Sequence, residues 1–220
     1  MRSFCIIGLS CFGIALTKSL LEKKAQVLVI SEDADSVNSM ADLVTGAVIG
    51  DPTNEAVLRA AGVTDYDCAV VCIDDNMNDS ILTTLILKEL GVREVIARAM
   101  NERHKMVLRR LGADQVVFPE EDMGDRLAQV LIKKDVLDYY NFSDGISLAE
   151  IHIPKEWIGH TMNTNDLHIR RRYGVTVVAV RHGDGAPNVT PDPDLPFRAE
   201  DTLTIMGTDK KLEQILKHLR

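Results

Sequence analysis

The stretch MRSFCIIGLSCFG, residues 1–13, decides the fold of this chain. Ser3–Ile7 is a short apolar run that predicts a buried strand, Gly8 ends it, and a segment with apolar residues at helical spacing follows. Strand, glycine turn and helix in this order form the nucleotide-binding turn of a doubly wound sheet, where free N–H groups at the helix N-terminus face a phosphate. The G-x-G-x-x-G motif of such turns is incomplete. Gly8 and Gly13 are its first and last glycines, but Ser10 occupies the place of the middle one.

The following residues repeat the alternation of strand and helix. Further buried strands are predicted at 27–30, 47–49, 69–72, 95–97 and 116–118, and helices at about 33–43, 53–61, 77–90 and 102–111. Six strands alternating with helices predict an α/β fold, a Rossmann-like doubly wound parallel sheet with right-handed crossovers. Polar residues follow the strands, at the edge where such sheets bind ligands.

The end of the second strand is where a ribose-binding carboxylate is expected, about twenty residues past the glycines. Ser31, Glu32 and Asp33 lie there. Ser31 occupies the usual place of the acid, and Glu32 comes one residue later. In a strand, this difference of one residue points the Glu32 side chain to the other face. Glu32 is equally explained as a favourable charge at a helix N-terminus. Asp74 and Asp75 are equally explained as caps of the helix that follows them.

A second, smaller α+β domain is predicted after the sheet. We expect a nucleotide-binding domain at 1–137, a linker at 138–147 and a C-terminal domain at 148–220. A long helix is predicted over 122–140, with the residues after it forming a polar, glycine-containing linker. The C-terminal domain is predicted to have strands at 148–153, 175–181 and 202–207 and helices at 166–173 and 210–219, the first with an acidic cap.

The composition excludes several classes of protein. The formal net charge of −8 argues against nucleic-acid binding, because the phosphates would be repelled. No apolar run approaches the roughly twenty residues that a membrane span needs, and we expect no signal peptide before Gly8. Four cysteines without CxxC spacing favour reduced thiols over disulfides or zinc, and hence a cytosolic protein.

Enzyme activities have little support in the sequence. An NAD-dependent dehydrogenase of the same fold stays an alternative, but it needs an acid–base group in the second domain, where four histidines are scattered: His152, His160, His168 and His182. A hydrolase nucleophile elbow at Ser10 fails, because Phe12 stands where that motif needs a glycine. The chain contains no H-E-x-x-H motif and no Walker lysine.

Longer motifs carry a family resemblance over essentially the whole chain. They are IIGLSCFG at 6–13, VIGDPT at 48–53, SILTTLILKELGV at 80–92, IARAMNERHKMVLRRLGADQVVFPEEDMGDRLAQVL at 96–131, LHIRRRYGVTVVAVRHG at 167–183 and AEDTLTIMG at 199–207. With these motifs the chain resembles the RCK (KTN) class, the cytosolic regulatory subunits and domains of potassium channels and of Trk/Ktr-type potassium transporters. Because Met1 lies directly before the first strand, we expect a separate Ktr-like subunit rather than a fused channel domain.

The resemblance implies a homo-oligomer, a dimer that assembles into an octameric ring, in the cytoplasm at the inner face of the cell membrane. Its partner would be a potassium-translocating membrane subunit, and no nucleic acid is implied. The bound cofactor would be ATP, ADP or NAD(H), and the nucleotide would set the shape of the ring. The implied cofactor-binding residues are Gly8, Ser10, Cys11, Phe12, Gly13, Ser31, Glu32, Asp33, Asp51, Pro52, Ile73, Asp74, Asp75, Arg98, Ala99, Met100, His104 and Glu120.

Two further ligands follow from the same resemblance. Glu120 matches a position that helps to hold a divalent cation near the phosphates in similar proteins, although one carboxylate is weak support for a metal site. In the C-terminal domain an anionic ligand, cyclic di-AMP in some relatives, would bind between two copies. The residues expected to contact it are Arg170, Val175, Thr176 and His182. A packing surface between two copies without a ligand explains these residues as well.

The chain departs from the family pattern at three positions of the nucleotide site. Ser10 replaces the middle glycine, Cys11 stands where relatives often have an arginine, and Ser31 replaces the ribose-binding acid. These changes leave open a degenerate paralogue that keeps the fold and has lost the nucleotide. Arg98 ends a strand in a dry region and needs a partner, whereas a histidine in the position of His104 is more often a solvated helix residue.

Overall fold

The computed structural model describes residues 2–132, 135–142, 145–163 and 168–218, which form two compact units divided between Pro119 and Glu120. The first unit alternates strands and helices. In chain order its elements are β1 Ser3–Ile7, α1 Cys11–Glu22, β2 Gln26–Ser31, α2 Ala34–Met40, β3 Gly46–Ile49, α3 Glu55–Ala60, β4 Cys68–Val71, α4 Met77–Glu89, β5 Val95–Arg98, α5 Glu102–Arg110 and β6 Gln115–Val117. The six predicted strands and the helices between them are confirmed.

The strands of the first unit form one parallel sheet in the order β3-β2-β1-β4-β5-β6. Successive residues of β1 point to opposite faces, so that Cys5 and Ile7 enter one apolar cluster and Ile6 enters another. Both faces are therefore buried, which explains why the strands are continuous apolar runs. The strand order reverses between β1 and β4, and ligands of doubly wound sheets bind at this switch point.

The second unit is a small antiparallel sheet with helices. Its elements are α6 Pro119–Ile132, β7 Val136–Asn141, β8 Ile146–His152, α7 Ile169–Tyr173, β9 Thr176–His182, β10 Asp201–Thr208 and α8 Asp209–His218. The strands pair in the order β7-β8-β10-β9 around a core that contains Trp157, Leu203 and Ile215. The predicted α+β class of this unit is confirmed. No helix in the described ranges is both long and apolar enough to cross a bilayer.

The predicted helix over 122–140 is wrong in its second half. The helix α6 ends at Ile132, and Val136–Asn141 forms the strand β7, hydrogen-bonded to β8. The segment 138–147, predicted as a linker, therefore holds strand residues at both ends, whereas the first compact unit already ends at Pro119. Val136 and Tyr139 are buried in the core of the second unit, so packing of the strand decides its conformation. The acidic cap expected at Asp166 lies outside the described residues.

Candidate functional site

A cavity of about 200 Å³ opens at the carboxyl ends of β1 and β4, where the strand order of the parallel sheet reverses. The loops after β1, β2, β3 and β4 surround it, and one residue of α4 completes it. Its lining residues are Gly8, Leu9, Ser10, Ser31, Glu32, Asp33, Pro52, Cys72, Ile73, Asp74, Asp75 and Asp79. The cavity thus occupies the ligand-binding position of a doubly wound fold.

The turn after β1 is built for close backbone contact. Gly8 has a φ of +89°, a conformation that favours glycine. A Cβ atom on Gly13 would lie 2.3 Å from the Gly8 carbonyl oxygen, so that the start of α1 packs directly on the turn. Ser10 is the N-cap of α1, and its hydroxyl accepts a hydrogen bond from the Gly13 N–H at 3.3 Å. Cys11, the first residue of α1, has an exposed side chain.

The carboxylates after β2 have different roles. Ser31 is buried, and Glu32 is exposed at the edge of the cavity. Asp33 caps α2, because its carboxylate accepts from the Asp35 N–H at 3.1 Å and from the Ser36 hydroxyl, and these bonds lower its pKa. Of the two acids, Asp33 is therefore held at the start of α2, whereas Glu32 lies at the edge of the cavity.

The cavity carries a concentrated negative charge. The neighbouring carboxylate of Asp51 raises the pKa of Glu32, and burial, Asp79 and Asp75 raise it further. Asp51 itself accepts hydrogen bonds from the Thr53 N–H at 2.7 Å and the Thr53 hydroxyl at 2.6 Å, and these lower the pKa of Asp51. A ligand in this cavity meets carboxylate oxygens, which are acceptors for hydroxyl and amine donors.

The residues at the end of β5 do not line the cavity. Arg98 is 8 % exposed, and its Nη1 atom lies 3.4 Å from Asp74 Oδ2, so an acid of the cavity rim is its partner.

Burial raises the pKa of Cys72 to about 12, although the charge of Arg98 opposes this shift. The thiol that lines the cavity is thus neutral near pH 7.

His104 and its neighbours are placed differently from the expectation. His104 is fully buried, its Nδ1 atom accepts from the Met100 N–H at 3.2 Å, and burial lowers its pKa. The expectation of a solvated helix residue is therefore wrong, since α5 turns His104 and Leu108 together into the core. Ala99 is also fully buried. Neither side chain lines the cavity.

Three lining residues were missed by the sequence analysis: Leu9, Cys72 and Asp79. Leu9 and Cys72 are direct neighbours of predicted residues, and Asp79 lies in the first turn of α4, which begins two residues after Asp75. Of the predicted set, Cys11 and Asp51 adjoin lining residues in the sequence, and Phe12 and Gly13 follow in α1, but none of these four lines the cavity.

The residues predicted for a cation and for a second ligand lie in the second unit. Glu120 is exposed in the first turn of α6, and the described residues contain no group of three His, Cys, Asp or Glu side chains that fits a metal. A divalent cation at Glu120 stays a prediction from the family resemblance.

The four residues predicted for the second ligand lie in α7, directly before β9 and at the two ends of β9. Val175 is buried against Gly207. Arg170 and Thr176 are exposed near the start of β9, but His182 ends that strand, about 20 Å further on at the usual rise per residue. The His182 Nδ1 atom lies 2.7 Å from the buried carboxylate of Asp201. His182 and Thr176 therefore lie at opposite ends of β9.

Comparisons with known proteins agree with this architecture. Residues 4–119 match the family model of the TrkA-N domain, and residues 146–220 match that of the TrkA-C domain. Ktr system potassium uptake protein C of Bacillus subtilis is 38% identical over 218 residues, which cover 99% of this chain and 97% of that protein. Ktr system potassium uptake protein A of Vibrio alginolyticus is 33% identical over 220 residues, which cover 99% of this chain and 98% of that protein.

A solved structure of the GsuK channel bound to NAD shares the fold, with a TM-score of 0.68 at 21% sequence identity. The similarity covers 100% of this chain and 39% of the channel chain. The two domain matches and the full-length similarity to Ktr proteins agree with the motifs of the sequence. The chain therefore belongs to the RCK (KTN) family, as a Trk/Ktr-type member with a TrkA-N domain followed by a TrkA-C domain.

Proposed function

We propose that this chain is a nucleotide-binding regulatory subunit of a potassium-translocating membrane protein. The observation that carries the proposal is the cavity at the switch point of a TrkA-N domain, in a chain similar along its length to Ktr system potassium uptake proteins. The NAD-bound GsuK channel, which has the same fold, supports a nucleotide as the ligand. We take the ligand class to be an adenine nucleotide: ATP, ADP or NAD(H).

The binding mode follows from the position of the turn and the carboxylates. The backbone of Gly8–Gly13 would approach the phosphates, and Glu32 would accept hydrogen bonds from the ribose hydroxyls. A nucleotide regulates the protein only if it binds one conformation better than another, since it shifts the equilibrium by that difference in affinity. The conformations that we propose are two shapes of a ring of dimers, assembled on the cytosolic face of the membrane subunit.

A regulatory role differs from the alternative of a redox enzyme in what happens to the ligand. We propose that the protein binds nucleotide without consuming it. Purified protein incubated with NADH or with ATP should leave absorbance at 340 nm and the phosphate concentration at the level of a protein-free blank (about zero turnover). Steady loss of NADH on addition of a small aldehyde, ketone or keto acid, which can accept the hydride, would establish the redox enzyme instead.

The transport role is tested in cells that lack the gene. We expect slower uptake of rubidium, used as a tracer for potassium, and recovery when the intact gene is returned. A variant with Gly13→Ala, which forces a Cβ atom against the Gly8 carbonyl oxygen, should restore uptake less well than wild type. Unchanged uptake in the deletion strain, under conditions where the gene is normally expressed, would contradict the role in transport.

The identity of the nucleotide is tested on the protein itself. Mass spectrometry of small molecules released from purified, denatured protein should detect an adenine nucleotide in about equal amount to the chain. The absence of any nucleotide, together with no binding in titrations of ATP, ADP, AMP and NADH, would favour the degenerate paralogue that keeps the fold alone.

A second ligand is proposed for the TrkA-C domain, at the exposed start of β9. Arg170 offers planar donors suited to phosphate, and Thr176 offers a hydroxyl a few residues later. We propose a cyclic dinucleotide between two copies as the ligand. Calorimetry with cyclic di-adenylate should show heat of binding that Arg170→Ala removes, and no heat with the wild-type protein would leave only a packing surface.

A further inference from the structure

The charged side chains that line the cavity are all acidic. Glu32 and Asp33 follow β2, Asp74 and Asp75 follow β4, and Asp79 lies in the first turn of α4. No lysine, arginine or histidine among the described residues lines the cavity. A nucleotide that enters this space therefore brings its phosphates towards like charge.

The nearby arginine does not supply the missing positive charge. Arg98, at the end of β5, is 8 % exposed, and its Nη1 atom lies 3.4 Å from Asp74 Oδ2. The pair is close to neutral as a unit, because each charge offsets the other. Glu32, Asp33, Asp75 and Asp79 remain as the net charge of the lining. The raised pKa of Glu32, caused first by Asp51 and then by burial and by Asp79, reflects the same negative potential.

The turn after β1 has no positively charged side chain for a phosphate, and one of its N–H donors is already used. The Ser10 hydroxyl accepts from the Gly13 N–H at 3.3 Å, so that this donor at the start of α1 is already used within the chain. Cys11, at the first position of α1, adds no positive charge. What the cavity offers in excess is acceptors for hydroxyl and amine donors, which a nucleoside has and a phosphate lacks.

We propose that the cavity selects adenine nucleotides of low phosphate charge, a nucleoside monophosphate or a dinucleotide, over ADP and ATP free of metal. This inference rests on the proposed function, since it concerns the ligand class of the same site. The carboxylates bind the nucleoside part, and each added phosphate charge is repelled. One further pair of like unit charges about 8 Å apart in water lowers affinity by about twofold. Several such pairs act on a triphosphate.

The test is a titration series at low ionic strength in the presence of a chelator of divalent cations. Calorimetry of the full chain with adenosine, AMP, ADP and ATP should rank AMP above ADP and ADP above ATP. We expect AMP to bind about tenfold more tightly than ATP, which carries about two more negative charges. Added salt should narrow this ratio, because it screens the repulsion. Equal or tighter binding of ATP would overturn the inference.

Variants identify the source of the selectivity. Asp79→Asn removes one charge of the lining, and we expect it to raise the affinity for ATP about threefold more than that for AMP. The control is Glu89→Gln, an exposed acid at the far end of the same helix α4, which should leave the ratio unchanged. An unchanged ratio in Asp79→Asn, with the fold intact by circular dichroism, would overturn the assignment to the carboxylates.

The series also separates this inference from the proposed function. Binding of AMP and ATP in the reverse order overturns the selectivity and leaves a nucleotide-binding subunit. Failure of all four ligands and of NADH to bind overturns the proposed nucleotide dependence, and the selectivity with it.

Discussion

At the scale of single residues, Cys11 is the position where one side chain can change what the cavity binds. It is the first residue of α1, its side chain is exposed, and no basic residue among those described lines the neighbouring cavity. We expect Cys11→Arg to raise the affinity for ATP about tenfold and that for AMP less. A well-formed charge-assisted hydrogen bond contributes about 1.5–3 kcal/mol. Calorimetry of both proteins with both nucleotides measures the difference.

The matched control at this position is Cys11→Ser, which keeps the size of the side chain and adds no charge. It should bind both nucleotides within about twofold of wild type. If wild-type protein already favours ATP over ADP by about tenfold, or about 1.4 kcal/mol, other residues select the phosphates and Cys11 has no such role.

Gly13 is the residue whose small size the turn requires. A Cβ atom there would lie 2.3 Å from the Gly8 carbonyl oxygen and 3.1 Å from the Cys72 Cβ atom. Backbone cannot move aside as a flexible side chain can, so Gly13→Ala should lower the free energy of unfolding by about 2 kcal/mol or more. Urea denaturation measures it. Ser19→Ala, at an exposed position of the same helix, should leave stability within about 0.5 kcal/mol, and an equal loss in both variants would contradict this explanation.

The sequence predicts the residues that line the cavity better than it predicts the burial of His104 in α5. Gly8 and Glu32 follow strands directly, so that their place at the carboxyl edge is set by local order and the parallel sheet. The burial of His104 depends on which face of α5 meets the sheet. The spacing of His104 and Leu108, four residues apart and both fully buried, contains that signal, but a histidine by itself does not.

At the scale of elements, the region after β6 shows where periodicity stops being informative. Apolar residues at 123, 127, 130, 131, 137 and 140 fit a single long helix. The helix nevertheless ends at Ile132, because Val136–Asn141 pairs with β8 and buries Val136 and Tyr139. A strand is stabilised by its partner strand, and no local pattern reports that partner.

Arg126 of α6 makes polar contacts with β7. Arg126 donates from Nε to Asp138 Oδ1 at 2.8 Å and from Nη2 to Asp138 Oδ2 at 2.6 Å, and its guanidinium lies 4.0 Å from the centre of the Tyr140 ring. The hydrogen bonds from Arg126 lower the pKa of Asp138 below its ordinary value of 3.8. We expect Arg126→Ala to lower the melting temperature of the protein at pH 7.

The pH dependence of this effect has a definite sign. A carboxyl whose pKa is lower in the folded state stabilises the protein above its unfolded pKa, and the contribution is lost as pH falls through the folded value. The gap in melting temperature between wild type and Arg126→Ala should therefore be constant above about pH 5 and shrink below about pH 4. Arg126→Lys should recover only part of the lost melting temperature, since a lysine cannot donate two parallel hydrogen bonds to one carboxylate. A gap that widens in acid would contradict the assignment.

At the scale of the whole molecule, the helix α6 has a row of exposed apolar side chains. Met123, Leu127 and Leu131 recur every four residues along the helix, and their exposed fractions are 57%, 52% and 73%. Contiguous apolar surface of this kind marks an interaction site in soluble proteins. In the ring of dimers that we propose, a second copy of the same helix would cover these side chains.

We therefore expect the purified protein to be a dimer or a larger assembly at micromolar concentration, measured by light scattering. Leu127→Asp combined with Leu131→Asp should shift the mass towards the single chain of 24.4 kDa, because a buried charge in an apolar interface is strongly unfavourable. Leu43→Asp is the control, since Leu43 is equally exposed, at 58%, but lies outside α6. A clean monomer of the wild-type chain would contradict both the dimer and the ring. An assembly that both sets of variants leave intact would place the interface on a surface other than α6.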